Sequence, residues 1–357
     1  MWHNTKITEI LGIDYPILQG PFGGRLSTVE LLSKVSNSGG LGGFGAYTLS
    51  PQEIYEVDKH IKASTDKPYN INLWISDTDA QEGISDLHFE QTKLLLKSYF
   101  DEVQIPFPEK PAPFKSRFEN QVQVILDVKP KVFSFVFGVP SNAILEQCGK
   151  LGIKTIGAAT TVDEAVFLEA AGVDMIVASG FESGGHRPSF LASSEESIMG
   201  TFVLLQLIRE KVKIPVIAAG GIANGRGIAA ALMLGADAVQ IGTAFLACEE
   251  SGALPVHREM LFSDAAKYTT LTRAFTGRLG RGISNKISKK IAGQEKSLLP
   301  FPQQTTLMSP LRIAALDQEK LDMILFWSGQ IAPILKHKKA DILMKSLIED
   351  TSKILDI

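Results

Sequence analysis

The sequence predicts a (β/α)₈ barrel, and three observations lead to this prediction. Eight short apolar runs recur along the first 248 residues. The runs are continuous rather than alternating, which is typical of parallel strands that are covered on both faces. The segments between them carry helix capping signals, and several end in a glycine that is followed closely by the next run. A doubly wound sheet is the alternative architecture.

The eight predicted strands are short apolar runs separated by helical patterns. They are placed at residues 15–19, 41–45, 69–74, 132–136, 154–157, 175–178, 214–218 and 238–241. A barrel built from such strands carries its functional site at their carboxyl ends.

Helices are predicted between these strands. Three segments fit a capping box, in which a hydroxyl caps the first turn and a glutamate three residues later reaches back. The three pairs are Ser27 with Glu30, Ser50 with Glu53, and Thr161 with Glu164. Three helices are expected to end in a glycine in the left-handed conformation. These glycines are Gly152, Gly172 and Gly235.

Two stretches interrupt the repeat, so the barrel is assigned to residues 1–74 and 132–248. Residues 75–131 form a predicted helical insertion, either a lid over the site or a packing element without a role in function. Its two helical patterns cover residues 89–101 and 114–128. Residues 249–357 are predicted to be a mostly helical C-terminal extension that packs on the barrel.

Composition limits the classes of function. The formal net charge of the 357 residues is −3, which argues against nucleic acid as a partner because phosphate backbones require a basic surface. No apolar run approaches the roughly 18 residues of a membrane span. The first residues do not resemble a signal peptide, so we expect a cytoplasmic protein without a membrane anchor.

Cysteine and histidine positions indicate no metal site. The two cysteines, Cys148 and Cys248, lie in apolar contexts and are expected to be buried and structural, which suggests a reducing compartment. The six histidines include no pair at a metal-binding spacing, and the sequence contains no CxxC motif.

Glycines follow the last two predicted strands. Gly220 and Gly221 come after the seventh strand, and Gly242 and Thr243 after the eighth. Glycines at these positions expose backbone N–H groups, and a barrel of this class commonly holds a phosphate there. Planar amides at the first and third strands, Gln19 and Asn72, can hydrogen-bond the edge of a flavin ring. Together these features suit flavin mononucleotide (FMN).

A single histidine follows three glycines after the sixth strand, in the stretch VASGFESGGHRPSF. Gly180, Gly184 and Gly185 allow sharp turns or the close approach of a flat ligand. His186 is the side chain whose ordinary pKa lies closest to physiological pH. The motif therefore indicates either a catalytic histidine or an exposed loop.

Several motifs together resemble the nitronate monooxygenases, formerly called 2-nitropropane dioxygenases. They are YPILQGPFGG, NINLW, GFESGGHRPSF, IPVIAAGGIANGRGIAAALMLGADAVQIGTAF and FTGRLGRGISN, and the resemblance runs from about residue 10 to Gln330. It implies an FMN-containing barrel that oxidises alkyl nitronates with O₂ to a carbonyl compound and nitrite.

The resemblance also implies roles for individual residues. His186 falls on the catalytic histidine of the family. Flavin-binding positions of the family fall on Asn72, Gly184, Gly221, Gln240, Ile241, Gly242 and Thr243, and the candidate set also includes Gln19, Ser179 and Gly220. Two departures are expected to matter: Phe22 replaces a methionine at the substrate wall, and Ser179 replaces a glutamine at a flavin contact. The tail segment WSGQ, residues 327–330, resembles a family element near the barrel mouth.

The roles of the charged neighbours stay open at this point. His186 could hold an anionic nitronate, or a neutral imidazole could remove the α-proton of a nitroalkane. Glu182 either orients His186 or is solvated. Arg278 and Arg281 either reach the phosphate end of the mouth or form surface salt bridges.

Two other functions are compatible with the sequence. A flavin-dependent enoyl-acyl-carrier-protein reductase would share the barrel and a similar GGH motif, but it would need a site for NAD(P)H. A non-catalytic flavin-binding barrel is the second alternative. The oligomeric state does not follow from the sequence.

Overall fold

The computed structural model describes residues 1–75 and 83–355, and its centre is a barrel of eight parallel strands. Strands are numbered β1 to β11 in chain order. The barrel strands are β1 Ile17–Gln19, β2 Gly42–Gly45, β3 Tyr69–Trp74, β4 Val132–Val136, β5 Lys154–Ala159, β6 Met175–Ser179, β8 Val216–Ala219 and β9 Ala238–Ile241. Their order is β1-β9-β8-β6-β5-β4-β3-β2.

The barrel closes between β1 and β2. The Leu41 N–H donates to the carbonyl oxygen of Ile17 at 3.0 Å, and the Gln19 N–H donates to the carbonyl oxygen of Leu41 at 2.9 Å. The first and last strands of the sheet are therefore joined, which a doubly wound sheet does not do. The predicted (β/α)₈ barrel is confirmed.

Helices surround the barrel and continue beyond it. They are α1 Lys6–Leu11, α2 Val29–Asn37, α3 Pro51–Ser64, α4 Asp86–Glu102, α5 Phe118–Val128, α6 Asn142–Lys150, α7 Val162–Ala170, α8 Thr201–Arg209, α9 Gly225–Met233, α10 Thr243–Leu246, α11 Pro255–Phe262, α12 Lys286–Ile291, α13 Gln303–Asp317 and α14 Ala340–Leu355. Short 3₁₀ helices cover Asp264–Lys267, Glu295–Ser297, Leu321–Met323 and Ala332–Ile334. Among the residues described, no helix combines the length and apolar character needed to cross a membrane.

Capping explains where several helices begin. The capping boxes predicted at Ser50 and Thr161 are both present. The box predicted at Ser27 is wrong, because the N-cap of α2 is Thr28, whose hydroxyl accepts from the Leu31 N–H. Ser27 instead donates its hydroxyl proton to the carbonyl oxygen of Gly43 at 3.2 Å. Its side chain therefore bonds to the backbone of β2 and not to the first turn of α2. The three predicted left-handed glycines are confirmed.

The barrel interior is apolar at the end where the strands begin. Leu18, Met175 and Ile217 point into it, and α1 adds Ile7 and Leu11 to the same cluster. Fully burying such a side chain contributes about 1.5–3 kcal/mol, so this end of the barrel is a packed core rather than a channel. The functional site is therefore left to the opposite end.

The ring of helices is completed from the C-terminus. The helix after β9, α10, has only four residues, and α14 packs against α9 and α2 in its place. A Cβ on Gly225 would lie 2.6 Å from backbone atoms of Asp350 and Thr351, so α9 and α14 touch backbone to backbone. The last helix is thus an integral layer of the barrel.

The insertion and the extension pack together. Leu96 and Phe100 of α4 lie in one hydrophobic cluster with Leu261, Leu307 and Phe326. By contrast, α5 packs against α3 and β3 in the manner of a barrel helix. The two predicted helices of the insertion are present, with starts shifted to 86 and 118. The division of the chain at 75–131 and 249–357, and the lid role, stay predictions.

The extension also contains two short strands beside its helices, which the sequence did not predict. Strands β10 Thr269–Thr272 and β11 Gly280–Ile283 form a three-stranded antiparallel sheet with β7 Gly185–His186, in the order β10-β11-β7. Glycine is unfavourable in strands, so the GRGI sequence of β11 gave no strand signal. This sheet brings the extension onto the histidine loop.

Candidate functional site

The predicted site residues meet at the carboxyl end of the barrel. Register pairs place Gln19 beside Ile241, Gly45 beside Asn72, and Ser179 beside Ala219. Gln240 is paired with Ala219 and is partly accessible. Parallel strands thus align the glycine turns, the amide side chains and the histidine loop around one opening, which we call the barrel mouth.

Two of the predicted amides are already bonded to the protein. The Gln19 side-chain oxygen accepts from the Gly43 N–H at 2.8 Å, and its NH₂ group donates to the carbonyl oxygen of Gly20. The Asn72 NH₂ group donates to the Ser134 hydroxyl at 2.9 Å. Both side chains are buried, so they brace neighbouring strands, and contact of either with a flavin stays a prediction.

The turns after β8 and β9 present open backbone. Gly220 and Gly221 adopt φ angles of +108° and +71°, which favour glycine. In the described part of the chain, the N–H groups of Gly220, Gly221, Gly242 and Thr243 donate to no backbone carbonyl. A Cβ on Gly242 would meet only the Phe22 ring, at 3.9 Å. The turns therefore offer donors and space to an anionic group.

The glycines of the histidine loop serve close contacts within the protein. A Cβ on Gly180 would clash with Thr201, and one on Gly184 would lie 2.5 Å from the Gly329 nitrogen. Gly185, with φ +78°, has nothing within 4 Å of that position. Gly184 thus makes room for the C-terminal segment, and its role as a flavin contact stays a prediction.

The WSGQ segment ties the loop to the end of β9. The Gly329 N–H donates to the Thr243 hydroxyl at 2.9 Å, and the Gln330 N–H donates to the carbonyl oxygen of Glu182 at 3.0 Å. The segment therefore lies beside the barrel mouth, as its resemblance to the family element suggested. Its Gly329 also binds the hydroxyl of Thr243, a residue that the sequence predicts at the phosphate site.

His186 lies on β7, which pairs with β11. Its Nε2 is 2.9 Å from the hydroxyl oxygen of Thr276. Aromatic rings surround the imidazole, with ring centres at 5.3 Å for Trp74, 4.8 Å for Trp327 and 6.0 Å for Phe301. This burial lowers the pKa of His186 to about 4, so the imidazole is neutral at neutral pH.

The aromatic wall continues away from His186. Tyr47 stacks on Trp74 with ring centres 3.9 Å apart and an interplanar angle of 5°. The guanidinium of Arg278 lies 3.8 Å from the centre of the Phe137 ring and 4.6 Å from that of Phe301. Burial lowers the pKa of Arg278 to about 10. The positive charge therefore stands among rings on the histidine side of the mouth rather than at the glycine turns.

Arg281 and Glu182 have structural partners that the sequence did not indicate. Arg281 donates to the carbonyl oxygen of Phe181 at 3.1 Å and to the Thr269 hydroxyl at 2.9 Å. The Glu182 carboxylate accepts from the N–H and hydroxyl of Thr201, at 2.9 and 2.8 Å, and so caps α8. It neither orients His186 nor is left to solvent.

Two buried charges pin the histidine loop. Glu164 accepts from the Phe190 N–H at 2.6 Å with one oxygen and from the Thr160 N–H at 2.6 Å with the other. Arg187 donates to the carbonyl oxygens of Gly180 and Ser197, both at 2.6 Å. Because Glu164 stands in the first turn of α7 and Gly180 directly follows β6, these bonds tie the loop that carries His186 to the barrel and give it a rigid support. Sequence reasoning placed Glu164 only in its capping box and missed Arg187.

We expect Glu164→Gln to destabilise the fold by about 1–3 kcal/mol, because the amide would turn an NH₂ group toward backbone N–H donors. Both carboxylate oxygens of Glu164 accept such bonds. Urea unfolding would measure the loss. Glu169→Gln, on the same helix, is the matched control, since only one oxygen of Glu169 accepts from Lys213 and Ile214. Equal stability of the two variants would contradict the pinning role of Glu164.

No cluster of three or more histidine, cysteine, aspartate or glutamate side chains in residues 1–75 and 83–355 is placed to hold a metal ion. Both cysteines are buried, and burial raises the pKa of the Cys148 thiol to about 11.

Comparison with solved structures places this architecture among known proteins. The chain superimposes on a nitroalkane oxidase from Streptomyces ansochromogenes with a TM-score of 0.87 and 32% sequence identity, over 97% of this chain and 98% of the other. It also matches FabK from Thermotoga maritima with a TM-score of 0.74 and 27% identity, over 99% and 97% of the two chains.

Sequence comparison gives the same result over nearly the whole length. A probable nitronate monooxygenase from Staphylococcus aureus (strain Newman) is 35% identical over 356 residues, which are 99% of each chain. The family model for nitronate monooxygenase matches residues 4–350. The chain belongs to the nitronate monooxygenase family.

Proposed function

We propose that this chain is an FMN-dependent enzyme that oxidises alkyl nitronates, and nitroalkanes by way of their nitronates, with O₂ to carbonyl compounds and nitrite. The observation that carries the proposal is a neutral, aromatic-walled His186 at the same barrel mouth as the open glycine turns. Membership of the family supports oxidation of this substrate class.

The residues of the mouth fit FMN. The N–H groups of Gly220, Gly221, Gly242 and Thr243 would hold its phosphate, because these turns follow neighbouring strands and the four groups donate to no backbone carbonyl. Gln19, Asn72, Ser179, Gly184, Gln240 and Ile241 are the further candidates for contacts with the cofactor. When bound, FMN supplies the electron-transfer chemistry between the substrate and O₂ that no amino-acid side chain provides.

The chain itself supplies binding and proton transfer. The unprotonated nitrogen of His186 would take the α-proton of a nitroalkane, leaving the electron pair of the broken C–H bond on the nitronate. The aromatic rings of Trp74, Phe301 and Trp327 surround the imidazole and limit its contact with water. A substrate already supplied as the nitronate needs no proton removal and would only be held and oriented by the imidazole.

An absorbance spectrum of the purified protein, followed by mixing with propyl nitronate, tests the proposal. We expect a flavin spectrum, loss of its visible absorbance on anaerobic mixing, and nitrite release once O₂ is admitted. A flavoprotein that leaves nitronates unchanged would contradict the proposed reaction.

The similarity to FabK keeps a flavin-dependent enoyl-acyl-carrier-protein reductase as the second candidate. Rapid reduction of the bound flavin by NADPH, with no nitrite from nitronates, would favour that reductase. A colourless protein that takes up no FMN would instead favour a barrel without catalysis.

A further inference from the structure

The hydroxyl of Thr276 has three hydrogen-bonding neighbours. Its oxygen is 2.9 Å from Nε2 of His186, 3.1 Å from the carbonyl oxygen of Arg278 and 3.3 Å from the backbone nitrogen of Arg278. Thr276 is buried, at 9% exposure, so these contacts are not exchanged for water.

A hydroxyl group carries one proton and can accept two. The Arg278 N–H can only donate and the Arg278 carbonyl can only accept, so the carbonyl takes the hydroxyl proton. The remaining lone pair of Thr276 then faces Nε2 of His186, and this contact is a hydrogen bond only if Nε2 carries the imidazole proton.

The other tautomer leaves the Arg278 carbonyl unsatisfied. If the hydroxyl proton turned to Nε2, the oxygen atoms of Thr276 and Arg278 would face each other at 3.1 Å with no proton between them. By contrast, Nδ1 of His186 makes no hydrogen bond with the described residues, and the side chain is only half-buried, so a proton on Nδ1 can be donated to water. Leaving a buried group unpaired costs about 1–3 kcal/mol, so the Nε2–H tautomer is favoured.

We propose that Thr276 is a positioning residue that fixes His186 as the Nε2–H tautomer, so that Nδ1 is the atom that accepts the α-proton of a nitroalkane. The inference rests on the proposed function for the identity of the substrate, but the tautomer follows from the protein alone. In the step, a proton moves from carbon to Nδ1 and the C–H electron pair becomes part of the nitronate. Nε2 keeps its own proton and continues to donate it to the Thr276 hydroxyl oxygen.

The tautomer can be measured directly by ¹⁵N NMR on protein labelled at histidine. The six histidines are distinguished by comparison with His186→Asn, which removes one set of signals. We expect the wild-type protein and Thr276→Ser to show a protonated Nε2 and an unprotonated Nδ1 at His186. We expect Thr276→Val, which has no lone pair to offer, to shift the population toward the Nδ1–H form.

Activity provides a second readout. Turnover of a neutral nitroalkane by Thr276→Val should fall about tenfold, because loss of one hydrogen bond lowers the population of the Nε2–H tautomer by about that factor. Thr276→Ser should restore the turnover. Turnover of the nitronate should change less. Thr272→Val is the matched control, because the Thr272 hydroxyl accepts from the Ala274 N–H at 3.1 Å in a similar turn that does not reach His186.

A wild-type His186 protonated at Nδ1, or an unchanged tautomer in Thr276→Val, would overturn the inference. Equal losses in Thr276→Val and Thr272→Val would likewise reduce Thr276 to a structural role. Absence of turnover with both substrates, together with the expected tautomer, would contradict the proposed reaction and leave the tautomer assignment in place.

Discussion

Replacement of Gly221 by aspartate is expected to give a folded barrel that no longer retains FMN. A Cβ at this position would meet only Glu182, at 3.6 Å, so the side chain has room. The φ angle of +71° is one that aspartate and asparagine tolerate better than most residues. A carboxylate about 4 Å from the phosphate would repel it by about 4 kcal/mol per charge at an effective dielectric constant of 20, or about 10³-fold in affinity.

Gly221→Asn is the matched control, since it has the same size and the same backbone demand without the charge. Flavin content per protein is measured by absorbance after gel filtration, and folding by circular dichroism. We expect the asparagine variant to keep most of its FMN and the aspartate variant to lose it. Equal FMN content in the two variants would show that the phosphate lies elsewhere.

The eight barrel strands could be predicted because each is buried on both faces, and continuous apolar runs report that burial directly. The errors at their ends have a physical reason. The runs predicted to start at 15 and 214 begin as strands only at Ile17 and Val216, after Pro16 and Pro215. Proline has no N–H to give to a strand ladder, so each strand begins one residue after it, although the carbonyls of Pro16 and Pro215 accept from Val239 and Ile176.

The sheet that carries His186 could not be predicted in the same way. Its strand β7 has two residues, and β11 contains two glycines that give no strand propensity. The threonine-rich run of β10, TTLT, was a usable signal for a strand. Nothing local showed that these segments pair, because Gly280 stands 94 positions after its partner His186 in the chain.

Charged residues at the site show the same limit. Glu182 stands in a glycine-rich loop, where solvation is the simplest expectation, but its carboxylate caps α8, 19 residues along the chain. Glu164 was identified correctly as part of a capping box, yet its second oxygen holds Phe190 and Leu191. Sequence patterns report the near partner of a carboxylate, whereas the fold decides the distant one.

Replacement of His186 by asparagine is expected to lower the turnover of neutral nitroalkanes by the ~10²–10⁴-fold that is typical of lost acid–base catalysis. Asparagine can donate and accept hydrogen bonds, but its amide cannot accept a proton at neutral pH. Turnover of the same compound supplied as its nitronate should fall less, because its α-proton has already left. Comparing kcat/KM for the two forms of one substrate isolates the proton-transfer role.

Flavin content should be unchanged in His186→Asn, because the proposed phosphate donors are backbone groups of the glycine turns. His88→Asn is the matched control: His88 also makes one hydrogen bond through Nε2, to the carbonyl oxygen of Leu298 at 2.9 Å, but it lies on α4. We expect this control to keep both activities. Equal losses on nitroalkane and nitronate in His186→Asn would assign the histidine to holding the anion, and full activity on both would remove it from the catalytic machinery.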